Sequence, residues 1–256
     1  MPYHPDSLDH RDPDLIARVL PLLEAFNARY FRVQCQGSEH VPRGPVMFVG
    51  NHNGGIAGPD LPCTLARLWR LLEPASPLFA LAHDFAMRQF TPLGRMLQRF
   101  GALSATRANA QRVLGAGGQV LVYPGGDLEA YRGFKRRNEV VILPRTGFAQ
   151  VARELGAPIV PIVAHGAHRS AYIFSEGKRI AALLEMQRWA RLQRFPLALA
   201  LPWGVALGPW LPYLPLPFRV SLRILAPICA SPSDDATELA RHVQHTMQQA
   251  LREMSA

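Results

Sequence analysis

His52 and Asp60, with Asn51 just ahead of them, are the first residues in this chain whose types and spacing suit acid–base chemistry. An imidazole can take a proton from a hydroxyl, while a carboxylate on its other nitrogen fixes the tautomer and stabilises the imidazolium. A lone loop histidine also fits an ordinary turn, so the surrounding residues must decide. Tyr123-Pro124-Gly125-Gly126-Asp127-Leu128-Glu129 reads as a turn whose exposed backbone NH groups can hold an anion or a developing oxyanion, or else as a plain tight turn. The basic run Lys135-Arg136-Arg137 suits phosphate groups or a solvated loop. No GxSxG nucleophile elbow occurs, so direct base catalysis on a substrate hydroxyl fits better than a covalent serine route. His165-x-x-His168 and His242-x-x-His245 have spacings that metal ligands use. Neither pair has a third ligand nearby, so they read as a strand-end loop and a solvated helix face, and no metal or cofactor is expected.

These residues need elements to hold them. Residues 46–49 have the length and composition of a buried strand, and 51–60, with three glycines and Pro59, cannot extend it. His52 therefore lies just beyond a strand end. Further strands are expected at 79–81, 102–105, 119–123, 158–164 and 220–225, alternating with helical periodicity at 14–31, 61–72, 85–100, 109–114, 148–155 and 236–254. The first of these helices is amphipathic, with Pro21 as a kink, and the last carries an Asp235-x-x-Glu238 capping box. The alternation predicts an α/β fold whose central, largely parallel or mixed sheet is flanked by helices. Parallel strands would bring the ends at His52, Arg107, Pro124-Gly125-Gly126 and His165 to one rim, where α/β folds place their sites. Gly115-Ala-Gly-Gly118 follows a helix and precedes a strand, the reverse of a dinucleotide loop.

At 256 residues, with no Ser/Gly-rich or charged linker, the chain is expected to form one domain, with 1–13 as a flexible N-terminus whose composition is wrong for a signal peptide. Hydrophobic residues make up 48% and charged residues 18%, too apolar for a disordered chain. The net charge of +9 points to an anionic partner, and without an aromatic-interleaved basic patch or zinc finger that partner is not expected to be nucleic acid. Cys35, Cys63 and Cys229 have neither disulfide nor zinc spacing, which fits a reducing compartment. Residues 178–195 read as one basic amphipathic helix. Residues 195–218 hold no charge but Arg194 and Arg219 flank a stretch with six prolines, which reads as an apolar segment dipping into a membrane interface, with a buried loop as the alternative.

Taken in order, Asn51-His52 with Asp60, Gly101 with Arg107, Tyr123-Pro-Gly-Gly126, and Ala157-Pro-Ile-Val-Pro-Ile162 resemble the four sequence blocks of the glycerolipid acyltransferases, the family of lysophosphatidate and glycerol-3-phosphate acyltransferases. The resemblance covers roughly residues 30–228. It implies an acyltransferase-like fold and transfer of a fatty acyl group from acyl-CoA or another thioester to a hydroxyl of a glycerolipid or lysophospholipid. By the resemblance His52 is the general base, Asp60 its partner and Arg107 a phosphate- or acceptor-binding residue. The substrate-binding set it suggests is Asn51, Arg107, Pro124, Gly125, Gly126, Glu129, Lys135 and Arg145. Such an enzyme would sit on the cytoplasmic side of a membrane, peripheral or monotopic, against an anionic surface.

Two features depart from the family pattern. Its aspartate usually follows the histidine by five residues and here by eight, which leaves Asp84 as a second candidate partner. Its third block usually reads Pro-Glu-Gly with a following arginine. Here Pro-Gly-Gly-Asp-Leu-Glu, and later Arg145-Thr-Gly-Phe-Ala-Gln-Val-Ala152, look like the diacylglycerol acyltransferase 2 and transmembrane protein 68 branch, which moves weight toward a neutral acceptor. A catalytically silent lipid-binding protein of the same fold and a lipid acyl hydrolase are the alternatives.

Overall fold

A computed structural model describes residues 4–255 apart from 56–57, 75, 90 and 210–212. Seven strands form the main sheet: β1 (Gln34–Gln36), β2 (Met47–Gly50), β3 (Leu78–Ala82), β4 (Ala102–Ser104), β5 (Gln119–Val122), β6 (Ile159–His165) and β10 (Ser221–Ile224), in the order β1-β10-β6-β2-β5-β3-β4. From β6 to β4 every neighbouring pair is parallel, and only the β10–β6 pair is antiparallel. Five carboxyl ends therefore share one rim, and β2 is the central strand of the seven.

Period-2 alternation in β2 divides the core in two. Met47 and Val49 face a cluster with Val120, Val113, Phe148, Val151, Val243 and Met247. These side chains come from the sheet and from α4 (Arg107–Gly115), α6 (Gly147–Leu155) and α9 (Ala236–Ser255), while the short α5 (Gly126–Ala130) follows β5. Val46 and Phe48 face the opposite cluster with Ile16, Leu20, Leu68 and Trp69. Those come from α1 (Pro13–Phe26) and α2 (Asp60–Leu72). Helices thus cover both faces, as a largely parallel sheet requires.

Residues 4–12 make contacts with the body of the fold: Asn109 Nδ2 and Arg88 Nη2 both donate to the Asp6 carboxylate at 2.8 Å, and Ser104 N donates to Pro5 O. Two expectations are corrected. Residues 85–100 form a π-helix (Phe85–Gln89) and then α3 (Thr91–Arg99) instead of one helix. Residues 178–195 break into α7 (Lys178–Leu183) and α8 (Met186–Trp189), because Glu185 takes a left-handed conformation. That reversal folds Ala181, Met186, Ala190 and Leu192 onto one another as a small separate core.

The proline-rich stretch is also more regular than expected. It contains β8 (Leu197–Ala200) and β9 (Gly204–Leu207), which pair antiparallel and join β7 (Tyr172–Ser175) in a second sheet. Pro196 precedes β8, Pro202 lies in the β8–β9 turn and Pro209 follows β9, so these prolines punctuate the strands. Ile173, Ala198, Ala200 and Ala206 are buried, whereas Tyr172, Phe174, Leu199, Val205 and Leu207 stand 44–57% exposed. Register places Tyr172, Leu199 and Val205 side by side. The outer face of this sheet is apolar. Residues 210–212 of the proline-rich stretch lie outside the described residues.

Candidate active site

The chain leaves β2 at Gly50, where a Cβ would strike the Tyr123 ring. Asn51 then clasps β6: its Oδ1 accepts from Ala164 N at 2.7 Å and its Nδ2 donates to Ala164 O at 3.1 Å. This fully buried amide holds the loop to the sheet rather than facing a substrate. Asn53 continues the anchoring by donating from Nδ2 to Asn51 O at 2.9 Å.

Between these two lies His52. Its Nδ1 is 2.9 Å from Asp60 Oδ2, and its side chain is 26% exposed while that of Asp60 is completely buried. Asp60 is the first residue of α2, where a helix N-terminus favours a carboxylate. The same Oδ2 also accepts from Asn53 N at 3.1 Å. The loop closes tightly enough that a Cβ at Gly58 would collide with Asn53 O. Asp84, the other candidate, instead pairs with Arg88 at 3.3 Å and with Arg191.

An acceptor oxygen at Nδ1 requires the proton there, which leaves the Nε2 lone pair open, with no partner among the described residues. Burial works against a charged imidazole, but the charge and hydrogen bond of Asp60 outweigh it and hold the His52 pKa above its usual value. This is the polarity of a base that must accept a proton and keep it briefly. Cys63, one turn into α2, is unsuited to nucleophilic attack because burial pushes its thiol well above the ordinary range.

Behind the loop stands a buried network that the sequence did not reveal. Arg132 is completely buried and donates to His52 O at 2.6 Å, Asn53 Oδ1 at 2.6 Å, Glu129 O at 2.7 Å, Arg137 O at 2.8 Å and Arg136 O at 2.9 Å. Glu129 accepts from His52 N at 2.7 Å and from Val141 N at 2.9 Å. Burial pushes its carboxyl up to about 7 despite the neighbouring guanidinium. His168 accepts from Gly54 N at 3.0 Å on Nδ1, so its Nε2 donates to Arg132 O at 2.8 Å. Both ring nitrogens are used, and burial drives the pKa of His168 down to about 3, so it stays neutral. The only signal in the sequence is the Glu129-x-x-Arg132 spacing, which on a surface helix marks an ordinary ion pair.

The remaining candidates divide. Glu129 lies at the site but is spent on backbone amides. In the Pro124-Gly125-Gly126 turn the Gly126 amide is used within the turn, donating to Tyr123 O at 3.1 Å, and two carbonyls are gripped by Arg145, whose Nη1 donates to Gly125 O at 2.7 Å and to Pro124 O at 3.2 Å. Arg145 also pairs with Asp127 at 2.7 Å. Side chains on either glycine would collide with Glu129 or Arg145, which explains the glycines without invoking a ligand. Arg107 begins α4 at the end of β4, on the sheet edge and three strands from β2, roughly 14 Å along the rim by ordinary strand spacing. It is exposed there, beside Gly147. Lys135 is exposed with no partner among the described residues.

A family model described as Acyltransferase matches residues 32–165, a span that holds β2, the loop, α2, Glu129 and Arg132. Among curated proteins, an uncharacterized protein of Mycobacterium bovis is 28% identical over 253 residues, covering 94% of this chain and 66% of that one. An uncharacterized protein of Mycobacterium leprae is 27% identical over 249 residues, covering 94% and 65%. The chain thus spans about two thirds of the length of the curated relatives it matches. Among solved structures, the crystal structure of the 1-acyl-sn-glycerophosphate (LPA) acyltransferase from Thermotoga maritima superposes with a TM-score of 0.55 at 18% identity, covering 96% of this chain and 84% of that one. At that identity the likeness establishes the fold, a mostly parallel sheet between helices.

Proposed function

Because the chain belongs to the Acyltransferase family, we propose that it transfers a fatty acyl group from acyl-CoA, or another acyl thioester, to a hydroxyl of a glycerolipid or lysophospholipid, with His52 as general base. The observation that carries this reading is the 2.9 Å contact of His52 Nδ1 with buried Asp60, which leaves Nε2 open. The acceptor hydroxyl would lose its proton to Nε2 as its oxygen attacks the thioester carbonyl. The carbon–oxygen bond forms, the carbon–sulfur bond breaks, and the imidazolium returns the proton to the departing thiolate. Asp60 stabilises the imidazolium in between. The third block supports the diacylglycerol acyltransferase 2 and transmembrane protein 68 branch, and with it a neutral glycerolipid among the acceptors.

To test the reaction, purified protein is given labelled acyl-CoA and a panel of lipid alcohols. Acylated lipid is expected, and His52→Ala should lower its formation by about 10²–10⁴-fold. Transfer at the wild-type rate by that variant would remove the base assignment, and free fatty acid without acylated lipid would mark a hydrolase.

The lipid substrates would be reached from a bilayer surface. No helix of the described residues is long and apolar enough to cross a membrane. The outer face of the β7-β8-β9 sheet, with Tyr172, Phe174, Leu199, Val205 and Leu207, supports peripheral contact instead. Arg179 and Arg219 are exposed nearby without an acidic partner among the described residues and suit anionic headgroups. The three unpaired cysteines fit the cytoplasmic side. Replacing Leu199, Val205 and Leu207 together by serine should weaken co-sedimentation with anionic vesicles by at least about tenfold, given the transfer energy of three such side chains. Unchanged binding would rule out this face.

A further inference from the structure

Next to that face lies a groove of about 270 Å³ lined by Phe134, Arg137, Arg169, Tyr172, Leu216 and Phe218. Its walls are aromatic and aliphatic, and its charged groups are two arginines. Most arginines around it are neutralised: Arg136 pairs with Glu139 at 2.7 Å and Glu176 at 3.2 Å, and Arg194 pairs with Glu176 at 3.0 Å. Arg137 and Arg169 have no carboxylate partner among the described residues. Of the run Lys135-Arg136-Arg137, only Arg137 faces the groove.

Arg137 is also held in place. Its guanidinium sits 4.8 Å over the Phe134 ring, which lies 4.5 Å from the Tyr172 ring. Its Nε is buried with no hydrogen-bond partner, a donor that a bound oxygen would satisfy. The two guanidinium-bearing residues line this one groove, and after burial itself both contribute to holding the nearby His165 below its usual pKa. An uncompensated pair of arginines against apolar walls fits an anion that carries a hydrocarbon chain, and guanidinium groups match phosphate oxygens in geometry as well as charge. The groove is joined to the catalytic loop: Arg132 donates to Arg137 O and to His52 O, and Arg169 follows His168, which holds Gly54.

We propose that the Arg137–Arg169 groove binds the phosphate of a lipid, with the chain lying along Tyr172, Leu216 and Phe218. This rests on the acyltransferase reading only for its choice of a lipid, and its test uses no acyl donor. Calorimetric titration compares octanoylglycerol 3-phosphate, octanoylglycerol and inorganic phosphate on wild type and on R137Q/R169Q. The phosphorylated lipid is expected to bind wild type at least tenfold more tightly than either of the others. The double variant should lose that preference while keeping its affinity for octanoylglycerol. R169Q, at an exposed position, gives a second reading should the double variant melt early, and is expected to lose at least half of the preference on a logarithmic scale. A preference that survives both variants overturns the proposal, and inorganic phosphate binding as tightly as the lipid phosphate would mark a simple anion site and overturn it too. If transfer to lipid alcohols is absent while the preference is present, the reaction fails and the groove stands. If transfer occurs without the preference, the groove fails and the reaction stands.

Discussion

Asp60→Asn is expected to lower the plateau rate of acyl transfer by roughly 10²–10³-fold and to move the rising limb of its pH profile to lower pH. The substitution is informative because one oxygen, Oδ2, makes both of the aspartate's hydrogen bonds, to His52 Nδ1 and Asn53 N. An asparagine with its carbonyl there keeps both contacts and the tautomer, so what disappears is the charge. The new amide would occupy the place of Oδ1, which is buried without a partner, at a stability cost of about 1–3 kcal/mol.

The sign of the pH shift follows from the two influences on His52. Only the neutral imidazole accepts a proton, so activity rises as pH passes upward through its pKa. In the wild type, burial pulls that pKa down and Asp60 pushes it further up, to a net value above the usual one. Without the carboxylate, burial prevails and the limb moves down. The variant is therefore most impaired relative to wild type at high pH, where both are deprotonated and the missing charge is the main difference. Initial rates from pH 5 to 9 decide the matter. A limb that stays in place would mean that Asp60 does not govern the protonation of His52.

How far this site was legible in the sequence depended on what each residue had to declare. The strand before His52 announced itself by four apolar residues, and parallel pairing then fixed which strand ends share a rim. The eight-residue gap to Asp60 was not decidable, since a loop with three glycines has many paths. The path is chosen by tertiary contacts: Gly58 against Asn53 O, the Tyr213 hydroxyl on Gly54 O, and α2 beginning at Asp60 itself. The second sheet was hidden for a different reason. Its inward residues are Ala198, Ala200 and Ala206 and its outward ones Leu199, Val205 and Leu207, so both faces are apolar and no alternation in polarity marks the strands. The single helix expected across 178–195 failed at Glu185, where burying a small core outweighed continued helical bonding. Arg132 was the largest omission, because a charged residue in a loop gives no sign that it is buried.

Arg132→Met is expected to destabilise the protein by about 3–5 kcal/mol, the usual result of removing one partner from a buried ionic network. The lost guanidinium serves five oxygens at once: four carbonyls and the side-chain oxygen of Asn53. It also offsets the charge on Glu129, whose carboxyl already titrates at about 7 and would be driven higher without it. For a chain of this size the loss corresponds to a melting-temperature drop of about 10 °C. Two consequences separate an ionic network from mere side-chain volume. Combining Arg132→Met with Glu129→Gln should give a double-mutant coupling energy clearly different from zero, because a neutral amide no longer needs a counter-charge, while the cost of turning the glutamine NH2 against the His52 or Val141 N–H appears in both arms of the cycle and cancels. At temperatures where Arg132→Met remains folded, kcat should fall more than KM changes, since the carbonyl it grips belongs to His52 itself and a displacement of about 1 Å at the base can cost about 10²-fold in rate. Additive losses in the cycle, with kcat preserved, would reduce Arg132 to a filler of space behind the loop.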